Sequence, residues 1–346
     1  MRTFDILPGF DPTNDASFPP EAEGSVALGI FFHFGPVLAF CAVLAGLGIT
    51  WKSLALAYAA TGVFLPITFA IEKARPCVDL PKATFDEVAS GYSLVFVKGM
   101  LVGGGFVAAG WYALSLVSPH ARSTHGWVAI LVGVFFTDLG YYLLHRFLSH
   151  GHGQGALGRM YRKAHAAHHS ITHLDFLRGN ESSLIDTAFS EIQPSLIVVS
   201  WALGLDLEAT LVVYGIVLLM QTTDHTNHTF DIGWLRYVFL DNHVHKLHHC
   251  RRGHIVNYGA VFSIFDRAFG TYYEDWCVNG SYLHHHHVAL PIKRRREPGR
   301  KPAPGRPRYL GISCFIRWSR DRTRNQAVES RNSADFRPSP ALARAL

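Results

Sequence analysis

Two long uncharged segments near the start of the chain constrain its fold more than any other feature of the sequence. Residues 25–51 and residues 53–71 contain no Asp, Glu, Lys or Arg. As a helix, either segment is long enough to cross a hydrocarbon core of about 30 Å. The whole chain is 49% hydrophobic and only 17% charged, whereas soluble globular proteins are roughly 25% charged. We therefore predict an integral, multi-pass membrane protein.

Four further apolar segments are candidates for membrane-spanning helices. They cover about residues 92–117, 127–144, 184–204 and 208–223. The last two are short and include Glu191, so a re-entrant or half-buried hairpin is an alternative there. The segments together predict an all-α membrane helical bundle of about four to six spans.

The two ends of the chain differ in charge. Residues 1–24 are acidic and contain prolines, whereas a cleavable signal sequence has a basic start. Residues 288–346 carry 15 Lys and Arg against 4 Asp and Glu, while the rest of the chain carries 17 against 22. We predict a largely disordered basic tail over residues 277–346. One role for this tail is attraction to anionic lipid, but we prefer the interpretation that it is a solvated tail without a special role. Nucleic-acid binding is not expected, because no fold-bearing segment shares the charge.

Fourteen of the 21 histidines lie between His145 and His254, and their spacing repeats. Residues 165–170 read HAAHHS and residues 245–250 read HKLHHC, so both stretches have histidines at i, i+3 and i+4. On a helix this spacing puts three side chains on one face, about 5–6 Å apart at Cβ, which suits imidazoles converging on a metal. His145 and His150 are five positions apart, so we expect the helix to end or bend between them, near the glycines of SHGHGQG.

The histidine stretches are predicted to lie on one side of the membrane. The first two precede the fifth apolar segment and the third follows the sixth, so a hairpin that returns leaves them all on the same side. Lys and Arg are concentrated on that side, whereas the opposite side has only Lys52 and Arg122. This asymmetry predicts that the metal site and the C-terminal tail are cytoplasmic.

These motifs resemble the fatty acid hydroxylase superfamily of membrane proteins, also called the sterol desaturase family. Three histidine boxes occur in order, and the flanking stretches DLGYYLLHRFLSH (138–150), HTN (225–227) and NYGAVFSIFDRAFGTYY (257–273) are similar to the family's own. Three ordered boxes with both flanks are far more specific than one HxxHH motif alone. The resemblance covers about residues 130–276. With the apolar segments, this range predicts an N-terminal segment over 1–24, transmembrane helices over 25–126 and a fatty acid hydroxylase-like histidine-box domain over 127–276.

The resemblance also implies the residues of a di-metal site. The implied metal ligands are His145, His150, His165, His168, His169, His225, His245, His248 and His249. The stretch DHTNH leaves His228 as an alternative to His225. Asp138 lies seven residues before His145, two helical turns away on the same face, and is expected to accept a hydrogen bond from a ligand imidazole. The alternative for Asp138 is a polar helix end that faces lipid headgroups.

By the same resemblance we expect two iron ions, O2 as co-substrate, and hydroxylation of a membrane lipid such as a fatty acyl chain or a sterol. The sequence does not separate hydroxylation from desaturation. It contains no cytochrome b5-type heme segment, so we expect a separate electron-transfer protein as an external electron donor.

Two other functions remain open from the sequence. A membrane metal transporter with histidine-rich cytoplasmic loops would need acidic or histidine residues deep in its spans, and the sequence offers His33 and Glu191. A noncatalytic lipid-binding relative is disfavoured because all eight box positions are histidine. The run His284–His287 lies outside the matched region, and we interpret it as functionally silent.

Overall fold

The computed structural model describes residues 26–74, 76, 94–117, 126–151, 155–169, 175–176, 179, 184–228, 230, 232–249 and 256–272. The N-terminal segment 1–24, the basic tail 277–346 and the run His284–His287 lie outside these residues.

Helices make up nearly all of the regular structure within the described ranges. In chain order they are α1 (Val26–Leu47), α2 (Trp51–Ala74), a π-helix (Leu94–Gly103) that continues as α3 (Gly104–Val117), α4 (Trp127–Leu144) followed by a π-helical turn (His145–Ser149), α5 (Ala156–His168), α6 (Leu184–Phe189), α7 (Ile192–Leu203), α8 (Leu207–Asp224), a 3₁₀ helix (Gly233–Tyr237), α9 (Asn242–His249) and α10 (Ser263–Ala268). Extended backbone in these ranges pairs only as two isolated bridges, Pro76 with His228 and Phe239 with Phe262.

Five helices among the described residues are long and apolar enough to cross a membrane, which confirms the predicted all-α membrane bundle. They are Val26–Leu47, Trp51–Ala74, Lys98–Val117, Trp127–Ser149 and Leu207–Asp224. Apolar side chains such as Leu38, Val63 and Val128 are exposed on their outer faces, as expected where a surface contacts lipid rather than water.

The predicted segment 184–204 is not one continuous helix. It is divided into α6 and α7 at Ser190 and Glu191, and α7 has 12 residues. At 1.5 Å per residue α7 is about 18 Å long, which is shorter than the roughly 30 Å hydrocarbon core. The segment therefore follows the hairpin alternative, with α7 as the short arm and α8 as the long arm.

Helix α8 lies at the centre of the bundle, packed by α1, α3, α4 and α7. Thirteen of its 18 residues are buried. The α7–α8 turn is tight because Gly204 adopts a left-handed conformation (φ 66°) that ends α7. The Asp206 carboxylate then accepts a hydrogen bond from the Ala209 N–H at 2.8 Å and caps α8.

The helices alternate in direction, and this order brings their functional ends together. The short α1–α2 and α7–α8 turns lie at the end of the bundle remote from the histidines. The C-termini of α2, α4 and α8 therefore meet at the other end, where Glu72 contacts Asn227 and His145 contacts His165.

Candidate metal centre

The nine histidines predicted as ligands lie on four segments at this end of the bundle. The segments are the π-helical turn after α4, helix α5 with the residue that follows it, the C-terminus of α8, and helix α9. The structure brings all nine together, in one group of five and one group of four.

The five-histidine group contains His145, His150, His165, His169 and His248. One ring nitrogen of each residue lies within 4.8 Å of the corresponding nitrogen of every other member. The Nε2 atom of His145 is 2.9 Å from Nε2 of His165 and 3.1 Å from Nε2 of His150. Because a metal–imidazole bond is about 2.1 Å long, nitrogens at these separations suit one shared ion.

The four-histidine group contains His168, His225, His245 and His249, and its ligand nitrogens also lie within 4.8 Å of one another. Nε2 of His225 is 3.2 Å from Nε2 of His168 and 3.1 Å from Nε2 of His245. Nε2 of His249 is 3.2 Å from Nε2 of His245. His225 rather than His228 is thus the histidine of DHTNH in this group.

The π-helical turn explains how two histidines five positions apart reach the same group. The backbone N–H of His150 donates to the carbonyl of His145 at 3.0 Å, which is the i+5 to i hydrogen bond of a π turn. Adding one residue to the turn places positions i and i+5 on the same side of the helix. The expected bend is therefore a local change of helix type.

Carbonyl oxygens orient three of the rings from behind. Nδ1 of His145, His225 and His248 lies 2.8, 2.6 and 2.7 Å from the carbonyl oxygens of Tyr258, Gln221 and Val256 respectively. A carbonyl oxygen only accepts, so each Nδ1 carries the proton and each Nε2 of the neutral ring keeps its lone pair. This arrangement is the usual one for a metal-binding histidine.

Burial keeps three members of the four-histidine group, His225, His245 and His249, uncharged at neutral pH. Burial, reinforced by His168, lowers the pKa of His225 to about 3. The pKa values of His245 and His249 also fall well below the ordinary 6.5, first through burial and then through neighbouring histidines. Neutral imidazoles with free lone pairs are the form that binds a metal ion.

Asp138 is fully buried and bonds to backbone rather than to the imidazole that the sequence suggested. Its carboxylate accepts hydrogen bonds from the backbone N–H groups of Ala260, Val261 and Phe262, at 2.8–3.0 Å. Tyr258 lies two residues before Ala260 in the same loop, and its carbonyl orients His145. Asp138 therefore acts on His145 indirectly, by holding the loop whose carbonyl orients it.

Two buried carboxylates beside His165 were not predicted as site residues. Oε1 of Glu191 lies 3.8 Å from Nδ1 of His165 and accepts a hydrogen bond from the Ser149 hydroxyl, while Oδ1 of Asp186 lies 4.0 Å from the same nitrogen. Burial raises the pKa of Asp186 to about 8 and also raises the pKa of Glu191. Both lie inside the predicted apolar segment 184–204, where an acidic residue needs a partner, so the sequence carried a signal for both.

A cavity of about 100 Å³ lies against both histidine groups. It is lined by His165 of the first group and by His168 and His225 of the second. Tyr141, Asp186, Glu191, Gln193 and Gln221 are among its polar neighbours. A small molecule in this cavity can approach both groups.

The remaining buried histidines named from the sequence lie outside both groups. His228 and His33 are 1% and 0% exposed, and Nε2 of His33 is 3.7 Å from Oδ1 of Asp224. This contact joins α1 to α8 in the core of the bundle.

Comparison with known proteins finds one family. Residues 130–271 match the protein-family model described as fatty acid hydroxylase. This range contains all nine histidines and Asp138. No solved structure matches the chain.

Proposed function

Since this chain belongs to the fatty acid hydroxylase/sterol desaturase superfamily, we propose that it is a non-heme di-iron oxidoreductase that uses O2 to hydroxylate a membrane lipid. The family supports a lipid hydroxylase or desaturase in general. The proposal is more specific in three respects: it includes two iron ions, a fatty acyl chain or sterol as substrate, and hydroxylation rather than desaturation as the reaction.

The division of nine histidines into groups of five and four carries the proposal. Each group offers enough buried imidazole nitrogens to hold one ion and lies against the other group. Imidazole suits iron, zinc, copper and nickel, so the donor set fits iron without selecting it. When bound, a pair of iron ions supplies the redox chemistry with O2 that no amino-acid side chain provides.

The side chains of the protein hold, orient and shield this centre. The carbonyls of Tyr258, Gln221 and Val256 fix three rings with Nε2 directed inward, and the apolar bundle limits the access of water. The cavity beside His165, His168 and His225 is where we place the reacting carbon. Because the groups lie at the end of a membrane bundle, a lipid chain can reach this cavity from the bilayer.

The proposal includes a cytoplasmic location for the metal centre and an electron-transfer protein as partner. The concentration of Lys and Arg on the histidine side of the predicted topology supports a cytoplasmic centre and a cytoplasmic tail. A separate electron-transfer protein would then deliver electrons at that face. Among the described residues Arg146, Arg162 and Lys163 lie close to the histidine segments in sequence and are candidates to meet an acidic donor.

The test combines metal analysis with lipid analysis of full-length protein purified in detergent. We expect about two irons per chain in wild-type protein and a lower iron content in His168→Ala. In cells expressing the wild type, ¹⁸O2 should enter a membrane lipid, and His168→Ala should abolish that incorporation. His228→Gln, a buried histidine outside both groups, is the matched control and should keep iron and activity.

Other outcomes separate the alternatives. Zinc in place of iron would call for reconstitution with iron before activity is judged, since zinc binds the same donors. Bound lipid without O2-dependent product, in iron-loaded protein with a working electron donor, would support the noncatalytic relative. Metal uptake into sealed vesicles that depends on the same histidines would support a transporter.

A further inference from the structure

Glu72 is a buried carboxylate on α2, outside the matched residues 130–271. It is 3% exposed and lies at the end of the bundle that holds the histidines. Its Oε1 accepts hydrogen bonds from the backbone N–H of Phe176 at 2.9 Å and of Asn227 at 2.5 Å. Its Oε2 lies 3.1 Å from the same Phe176 nitrogen. One side chain of the N-terminal helices thus bonds to two separate segments of the histidine-rich region.

Both of these segments lead directly to candidate ligands. Asn227 is two residues after His225, the C-cap residue of α8. Phe176 follows the α5 histidines in the chain, is 1% exposed, and is next to Asp175, whose carbonyl accepts the N–H of Gly179. Gly179 in turn lies directly against His225, because a Cβ added there would be 2.6 Å from the His225 Cβ.

The third histidine box joins the same network. Nζ of Lys246, between His245 and His248 on α9, donates to the Asn227 side-chain oxygen at 3.1 Å. Lys246 also attracts the Glu72 carboxylate electrostatically. Next to these contacts, Pro76 pairs with His228 as an isolated bridge. Glu72 therefore lies where α2, the segment after His225 and α9 meet.

These contacts require a hydrogen-bond acceptor at this position. Two backbone N–H groups that are buried by the fold need acceptors, and an unsatisfied buried donor is costly. The Glu72 carboxylate accepts both at Oε1 and also has Oε2 near the Phe176 nitrogen. Ala accepts neither, whereas Gln keeps one acceptor oxygen and replaces the other with a donor that competes with the Phe176 N–H. Loss of the carboxylate would free the segment that sets the position of His225.

We propose that Glu72 is a positioning residue of the four-histidine group, holding His225 in place through Asn227. The N-terminal helical hairpin is then a working part of the centre as well as its membrane anchor. This inference rests on the proposed metal-binding function, and it predicts that substitution of Glu72 weakens one metal position and spares the other.

The experiment measures metal per chain and zinc affinity by chelator competition, in full-length protein that elutes as one species in detergent. Glu72→Ala should lose one of two metals, and Glu72→Gln should weaken one position by about 10- to 100-fold, the range for residues that orient ligands. Glu208→Gln, on the opposite end of α8, is the control and should bind as wild type. Weakened binding at one metal position alone is the signature of positioning, since a general loss of folding would weaken both positions together. The affinity of Glu72→Gln at that position should lie between those of wild type and Glu72→Ala.

Second substitutions identify the position that is lost. Adding His168→Ala, in the four-histidine group, to Glu72→Ala should cause little further loss, whereas adding His150→Ala, in the five-histidine group, should weaken the remaining position. Two metals held with wild-type affinity in Glu72→Gln would overturn the inference and leave the proposed function intact. Equal weakening of both positions would overturn it too. A wild-type protein that binds no metal would remove the proposed function and this inference with it.

Discussion

His168 and His169 are neighbours in the chain but belong to different histidine groups. His168 lies with His225, His245 and His249, whereas His169 lies with the group around His145. Their rings are 5.7 Å apart and inclined at 73°. The third box divides in the same way, because His248 lies with the first group and His245 and His249 with the second. Each HxxHH box therefore contributes histidines to both groups and holds the two groups next to each other.

Single substitutions at this pair should have unequal effects on metal retention. His169→Ala leaves four histidines in its group, but His168→Ala leaves only three. We expect both variants to lose metal to a chelator faster than wild type, and His168→Ala to lose it faster than His169→Ala. Timed metal analysis during dialysis against chelator measures this order. The reverse order would contradict the assignment of the two residues to their groups.

Asp138→Asn should destabilise the protein and loosen His145. The carboxylate accepts three backbone N–H groups, and Asn replaces one acceptor oxygen with a donor. We expect a loss of about 1–3 kcal/mol in the free energy of unfolding, measured from thermal or denaturant unfolding in detergent. Thr137→Val is the control, because the neighbouring Thr137 hydroxyl is buried and has no hydrogen-bond partner among the described residues. Equal stability of Asp138→Asn and Thr137→Val would show that the carboxylate contacts contribute little.

Gly179→Ala should displace His225. The added Cβ would be 2.6 Å from the His225 Cβ and 2.9 Å from the Asp175 carbonyl oxygen, distances at which the backbone must move. We expect weaker metal binding in the four-histidine group and lower stability, measured by chelator competition and thermal unfolding. A Cβ added at Gly46 on α1 meets no atom of the described part of the chain within 4 Å, so Gly46→Ala should leave metal binding unchanged. Wild-type metal binding in Gly179→Ala would mean that the segment moves without His225.

Metal-free protein should lose stability as the pH falls below about 6.5. The pKa values of His225, His245 and His249 are lowered in the folded protein, so the unfolded chain takes up protons first. Stability is therefore unaffected by these groups above pH 6.5 and decreases from there towards the folded pKa of His225, about 3. Three such groups give a limiting slope of about 4 kcal/mol per pH unit.

Thermal unfolding of chelator-treated protein between pH 8 and pH 5 measures this effect. The midpoint should fall below pH 6.5 because the histidines dominate there, and above pH 6.5 it should decrease slightly with rising pH because burial raises the pKa of Asp186 to about 8. Metal-loaded protein should also release its metal in the acid range, because protons compete for the same nitrogens. A midpoint that stays constant down to pH 5 would indicate that these imidazoles are not buried in the metal-free state.

The sequence by itself determined the class of fold and the identity of eight of the nine histidines that meet. Uncharged apolar segments must form helices in a bilayer, since every backbone polar group there needs an internal partner. The i, i+3, i+4 spacing puts each box on one helix face, and the alternation of spans brings the boxes to one end of the bundle. These are local or topological rules that need no knowledge of packing.

Only the tertiary structure decided which histidines share a group and what holds them. Neighbouring residues such as His168 and His169 separate because their directions depend on how α5 packs against the π-helical turn and α6. The choice of His225 over His228 depends on where α8 ends, and the π turn at His145 adds a residue that a regular helix would not contain. Glu72, Glu191 and Gly179 bear on the site through contacts that are distant in sequence, and no local pattern encodes those contacts. Periodicity can specify a face, but the partner across that face is set by three-dimensional packing.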